Sequence, residues 1–125
     1  MTDGSEIPVS SRAPVNLTDD ELTQEMTRLT MAAQDLIGDA WCNGSDDCRT
    51  MGWGAKPCGG PSMYLVYSST ETSTAQLQAI ADRFHDLGAE YNRRKGLISD
   101  CALTPRPDVD CVNGRCADVD ETIAD

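Results

Sequence analysis

Six cysteines in 125 residues, at Cys42, Cys48, Cys58, Cys101, Cys111 and Cys116, constrain this chain more than any other feature. An even count in a short chain reads as a framework of up to three disulfides, and such frameworks persist in oxidising compartments. Each bond contributes about 2–4 kcal/mol, mainly by restricting the unfolded chain. They supplement a modest core: hydrophobic residues make up 39% of the sequence and aromatic residues only 5%. At this length one domain burying roughly 65% of its unfolded surface is expected.

Spacing alone leaves the pairing open. Cys42 and Cys48 bracket the polar loop Asn43-Gly44-Ser45-Asp46-Asp47, and Cys111 and Cys116 bracket a turn. Bridging each local pair leaves Cys58 and Cys101 for one another. Crossed bonds from Cys42 or Cys48 to the C-terminal pair satisfy the same constraints, and six cysteines allow fifteen connectivities.

The alternative use of these thiols is zinc. Structural zinc sites favour two ligand pairs spaced C-x₂₋₄-C. The short spacings here are C-x₅-C and C-x₄-C, with His85 as the sole histidine, so disulfides are the reading we adopt. No C-x-x-C motif supports an oxidoreductase.

Two helices are legible from their ends. Thr18-Asp19-Asp20-Glu21 is a capping box, with Leu17 and Leu22 placed as a hydrophobic staple. Leu22, Met26, Leu29, Ala33, Leu36, Ile37 and Ala40 follow at spacings of three and four, predicting a helix over 19–37 that ends near Gly38. Ser73-Thr74-Ala75-Gln76 is another capping box and opens a second helix with Leu77, Ile80, Phe84, Leu87 and Tyr91 on one face. Arg93, Arg94 and Lys95 suit the dipole of its last turn, and Gly96 supplies the C-cap.

Between the helices, Met63-Tyr64-Leu65-Val66-Tyr67 reads as a strand, with residues 48–53 as its partner and a glycine- and proline-rich turn joining them. Val112-Asn113-Gly114-Arg115 predicts a two-residue type I′ hairpin with Cys111 opposite Cys116. A further strand is expected over 97–103. The predicted fold is α+β: two amphipathic helices on a small antiparallel sheet, stapled by disulfides. Residues 1–16 read as a flexible polar leader, 17–119 as the single domain and 120–125 as an acidic tail.

The formal net charge is −11, unevenly spread. Residues 1–47 carry ten acids against two arginines, whereas 48–96 carry six bases against four acids. Phosphate binding needs clustered Lys and Arg, so nucleic acid is not an expected partner. No apolar stretch is long enough to span a bilayer. Residues 1–14 lack the hydrophobic region of a signal peptide, so the cysteine framework implies a mature exported form whose signal is absent from this sequence.

No catalytic constellation emerges. His85 falls on the second helix off its apolar stripe, three residues from Asp82. Ser62, in Gly59-Gly60-Pro61-Ser62, is not in a G-x-S-x-G elbow. The oxygen-rich stretch Asp39 to Asp47 has Trp41 where a calcium loop needs a ligand, and lacks its distal Glu. Asn16-Leu17-Thr18 and Asn43-Gly44-Ser45 match the N-glycosylation sequon. No cofactor or metal is called for, and the chain reads as non-enzymatic.

The candidate binding face is Trp41, Trp53, Lys56 and Arg106. Large aromatics beside rigid loops often carry binding energy. Arg106, in Thr104-Pro105-Arg106-Pro107, and Lys56, before Pro57, each set a base in a rigid loop, the feature a disulfide-braced protease inhibitor would use. The proline after each base lacks the amide donor of a substrate mimic.

Cys42-x₅-Cys48-Arg-Thr-Met-Gly-Trp-Gly-Ala-Lys-Pro-Cys58-Gly-Gly-Pro61, followed by Tyr64-Leu65-Val66-Tyr67-Ser68, Ser99-Asp100-Cys101 and a late cysteine pair, resembles small exported proteins of Gram-negative bacteria. The resemblance covers about residues 20–116 and implies export and disulfides. That group has no assigned activity, so no functional residue transfers. Three functions follow: an envelope or secreted module that binds a protein or other macromolecule, a disulfide-braced protease inhibitor, and an intracellular zinc-stabilised protein.

Overall fold

Antiparallel pairing of two long helices organises the computed structural model, which describes residues 16–98 and 102–119. Helix α1 (Asp19–Ile37) starts at the expected capping box: the Thr18 side chain accepts from the Glu21 amide, and Glu21 accepts from the Thr18 amide. Helix α2 (Thr74–Lys95) is capped by Ser73 and closed by Gly96 in the left-handed conformation. Their apolar stripes meet in a cluster of Leu22, Leu29 and Leu87, with Leu17, Met26 and Tyr91 packed around it. Leu22 and Leu87 are at most 1% exposed, and burying each contributes about 1.5–3 kcal/mol.

Strands β1 (Cys48–Trp53) and β2 (Met63–Ser68) pair antiparallel, with Met51 opposite Leu65 and Trp53 opposite Met63. Alternation along a strand gives the sheet two distinct faces. On one, Met51, Trp53 and Tyr67 are buried against Ala33, Leu77 and Ala81 of the helices. On the other lie Thr50 and Tyr64, crossed by the later chain: Arg106 stacks over Tyr64 at 5.0 Å and donates to Thr50 Oγ1 at 2.7 Å. Thr104 adds a bond to the Pro61 carbonyl at 2.8 Å.

The turn between β1 and β2 depends on one glycine in particular. Gly54 has φ +84°, and a Cβ there would stand 2.8 Å from Ser62 Oγ, so any side chain meets both strain and a clash. Asn92 of α2 then clamps the turn by donating to the Ala55 carbonyl at 2.8 Å.

Strands β3 (Val109–Val112) and β4 (Arg115–Asp118) form a second two-stranded sheet, with Cys111 directly opposite Cys116. Asn113 and Gly114, at φ 55° and 83°, supply the two positive dihedrals of the predicted turn. The architecture is therefore α+β as expected, but with two small sheets rather than one. The strand expected over 97–103 does not form in its described part: residues 97, 98 and 102–108 are irregular chain without sheet pairing, and 99–101 lie outside the described residues. So do the leader up to residue 15, Cys101 and the tail 120–125. No helix among the described residues is long and apolar enough to cross a membrane.

Charge ties the helix ends together. Glu90, buried, pairs with Arg93 and with Arg94 Nε at 2.6 Å, and Arg94 reaches Asp19 at the start of α1 at 3.0 Å. The hydrogen bond from Arg94, with Lys95 beside it, holds the Asp19 carboxyl below its ordinary value. A lowered folded-state pKa stabilises above the unfolded value, about 3.9, and that contribution is lost as pH falls through the folded value. Asp19→Asn should therefore be less stable than the parent at pH 7, with the gap closing below about pH 4 and narrowing with salt. Urea midpoints at the two pH values measure it; a gap independent of pH would disprove the charge origin.

Candidate functional site

The end of the molecule where α1 hands over to β1 is built from the residues that the helix leaves behind. Gly38 stops α1, and Ala40 follows with φ 56°, an uncommon dihedral for a residue with a Cβ. This turn lays residues 40–42 along the hairpin. The Cys116 amide donates to the Ala40 carbonyl at 2.9 Å, the Cys42 amide donates to the Gly114 carbonyl at 2.8 Å, and Trp41 bridges to Arg115. The hairpin thereby gains an antiparallel bridge along the Arg115 edge.

Two disulfides lock this arrangement. Cys42 bonds Cys111 and Cys48 bonds Cys116, with Cα separations of 5.9 and 5.4 Å. The pairing is crossed, not local. Cys111 and Cys116 sit opposite one another, so their side chains leave the same face of the hairpin. That face lies on the loop carrying Cys42 and Cys48, and each thiol finds a partner there. Cys58 is disulfide-bonded too. The intervening loop is a short 3₁₀ turn, Ser45–Asp47, in which the Asp47 carboxylate accepts from the Asn43 amide at 2.8 Å. Its oxygens serve the turn.

On the outer surface, Trp41 is 49% exposed, and Arg115 lies 4.8 Å over its ring. Arg115 also donates to Asp39 Oδ1 at 3.1 Å, which fixes the guanidinium from its other side. Val112, opposite Arg115 in the register, is exposed. An aromatic ring, a cation and an aliphatic side chain are thus held on one rigid platform.

The other members of the expected face go elsewhere. Trp53 is not a surface anchor: it is 5% exposed and stacks on Phe84, with centroids 4.2 Å apart and planes at 16°. Its parity with Met51 along β1 places it on the helix side, a signal present in the sequence. Lys56 and Arg106 bind the irregular chain to the sheet, Lys56 Nζ donating to the Ala102 carbonyl and Arg106 lying on Tyr64. They flank the far end and middle of β1, whereas Trp41 belongs to its beginning. The four residues do not form one face. Asp39, Val112 and Arg115, which join Trp41, carried no motif of their own; the hairpin register was the available clue.

A hollow of about 250 Å³ lies between the glycine-rich turn and α2, lined by Gly54, Pro61, Gln78, Asp82 and His85. Gln78 donates to Asp82 at 2.9 Å, and His85 Nδ1 is 3.5 Å from the Asp86 carboxylate. His85 is half exposed on the surface of α2.

Neither a scan of protein-family models nor comparisons with curated proteins and solved structures returns a match to this chain.

The crossed bonds predict a distinctive stability pattern. Each closes a large loop, with sequence separations of 69 and 68. In the chain-entropy picture one such bond contributes about 4 kcal/mol, while the second, added to the first, closes a ring of only about eleven residues and contributes about 3. Replacing Cys42 and Cys111 by alanine, or Cys48 and Cys116, should each cost about 3 kcal/mol, and replacing all four about 7. Urea denaturation without reductant tests this; a fourfold variant costing no more than twice a single pair would refute the shared-loop account.

Proposed function

We propose that this chain is a non-enzymatic binding module of an extracytoplasmic compartment, engaging a protein or other envelope macromolecule through Trp41, Val112 and Arg115. The observation that carries the reading is an exposed tryptophan bridged to a doubly disulfide-anchored hairpin. Holding an aromatic anchor rigid lowers the ordering cost of association, which is how a small surface gains affinity. The disulfides suit an oxidising environment. Periplasm, cell surface and medium each meet that requirement.

The protease-inhibitor reading is weaker. An inhibitor presents its basic side chain outward into the enzyme, whereas Lys56 and Arg106 turn back onto the Ala102 carbonyl and the Tyr64 ring.

A photoreactive amino acid at position 41, in the protein exported with an added signal sequence, should give a discrete adduct of higher mass in envelope fractions. Arg115→Ala should diminish that adduct, because the ring loses its platform. The same probe at Met31, 59% exposed on α1, should not give it. No adduct from position 41, or an identical pattern from position 31, would defeat the reading.

A further inference from the structure

Four cysteines that are scattered in the sequence share one corner of the fold. The sulfurs of Cys42, Cys48 and Cys116 lie within 4.8 Å of one another, and that of Cys111 is bonded to Cys42. In a tetrahedral thiolate site with metal–sulfur bonds of about 2.3 Å, the sulfurs stand roughly 3.8 Å apart. The backbone therefore holds three of these sulfurs within reach of one ion, and Cys111, bonded to Cys42, stands beside them as the fourth ligand. We propose that, once both disulfides are reduced, Cys42, Cys48, Cys111 and Cys116 form a tetrathiolate site for a zinc-class divalent metal.

Local geometry supports the assignment. Cys111 and Cys116 are separated by four residues, within the usual range for a structural zinc pair, and as directly opposed residues of paired strands they leave the same face of the hairpin. Cys42 and Cys48 are separated by five, one more than that range. The 3₁₀ turn at Ser45–Asp47, held by the Asn43–Asp47 bond, folds the extra residue away and brings their sulfurs together. Spacing along the chain argued against zinc; spacing in three dimensions does not. Cys48 is buried and the other three are half-buried, so the sulfurs are shielded on several sides.

The chemistry balances without an unnamed reactant. A phosphine gives two electrons to each disulfide and leaves as its oxide, water supplying the oxygen and the two protons of the new thiols. A divalent metal then displaces the four thiol protons to solvent as four metal–sulfur bonds form. Covalent staples in the oxidised state and coordinate staples in the reduced state hold the hairpin in the same place. This inference is independent of the binding function proposed above.

The test uses the full chain, reduced by a phosphine without oxygen, freed of reductant and titrated with cobalt(II) and then zinc(II). One equivalent of cobalt should give thiolate-to-metal charge transfer and intense tetrahedral ligand-field bands, which zinc abolishes. Cys116→Ser should weaken cobalt binding at least tenfold, while Cys58→Ser should leave it unchanged. Alkylation of the reduced wild-type protein, mapped by mass, provides a readout that needs no folded variant. Zinc should protect Cys42, Cys48, Cys111 and Cys116 together and leave Cys58 reactive. No charge-transfer band at one equivalent, a Cys116→Ser variant matching Cys58→Ser, or protection that includes Cys58 equally would each overturn the proposal.

Discussion

The hairpin of β3 and β4 leans on covalent bonds because it has no buried core of its own. None of its residues from Val109 to Asp118 is fully buried, and an isolated two-stranded hairpin is marginal in water. The helix pair and the first sheet own the core: every fully buried leucine belongs to α1 or α2. Two disulfides from one face of the hairpin transfer that core's order to a ribbon that could not order itself. The consequence reaches the surface. Trp41 and Arg115 keep their stacked geometry because Cys42 and Cys116, the next residue after each, are both bonded into the same corner.

What could be read in advance follows the range of the interactions involved. Helix ends are local events. Thr18 and Glu21 satisfy each other's amides, and the Ser73 hydroxyl accepts from the Gln76 amide three residues on, so both helices were legible to the residue. The Asn113–Gly114 turn is equally local, and it set the Cys111–Cys116 register. Disulfide partners are not local. Sequence spacing invited the short bridges, yet Cys42 and Cys48 each pair with a residue nearly seventy positions away. Nothing near Cys42 in the chain reports that the hairpin will lie over it. Trp53 is a different kind of miss: the glycine-rich turn beside it suggested exposure, but strand alternation, a period of two, had already assigned it to the core.

The scarcity of aromatics sharpens the meaning of Trp41. Trp53 and Phe84 stack in the core, Tyr67 is buried with them, Tyr91 packs between the helices and Tyr64 lies under Arg106. Trp41 is the large aromatic left exposed among the described residues. A chain with so few rings gains most from burying them, since each removes 150–250 Å² from water. Leaving one outside, on a platform braced by two disulfides, forgoes that gain at a position where rigidity is greatest. This combination is what a binding anchor requires and what a folding residue does not.

Charge would set the partner's side of the proposed contact. The structure consumes cations internally: Arg28 pairs with Glu25, Arg94 with Glu90 and Asp19, Arg106 with Tyr64 and Thr50, and Arg115 with Asp39 and Trp41. The chain as a whole carries a net charge of −11. Long-range fields of this kind steer encounter with oppositely charged surfaces and repel like ones, and they weaken with salt. Short-range affinity comes instead from the ring and its aliphatic neighbour, which salt does not screen. A partner that fits both offers a basic rim around an apolar pocket. For such a partner, raising the ionic strength slows association much more than it hastens dissociation.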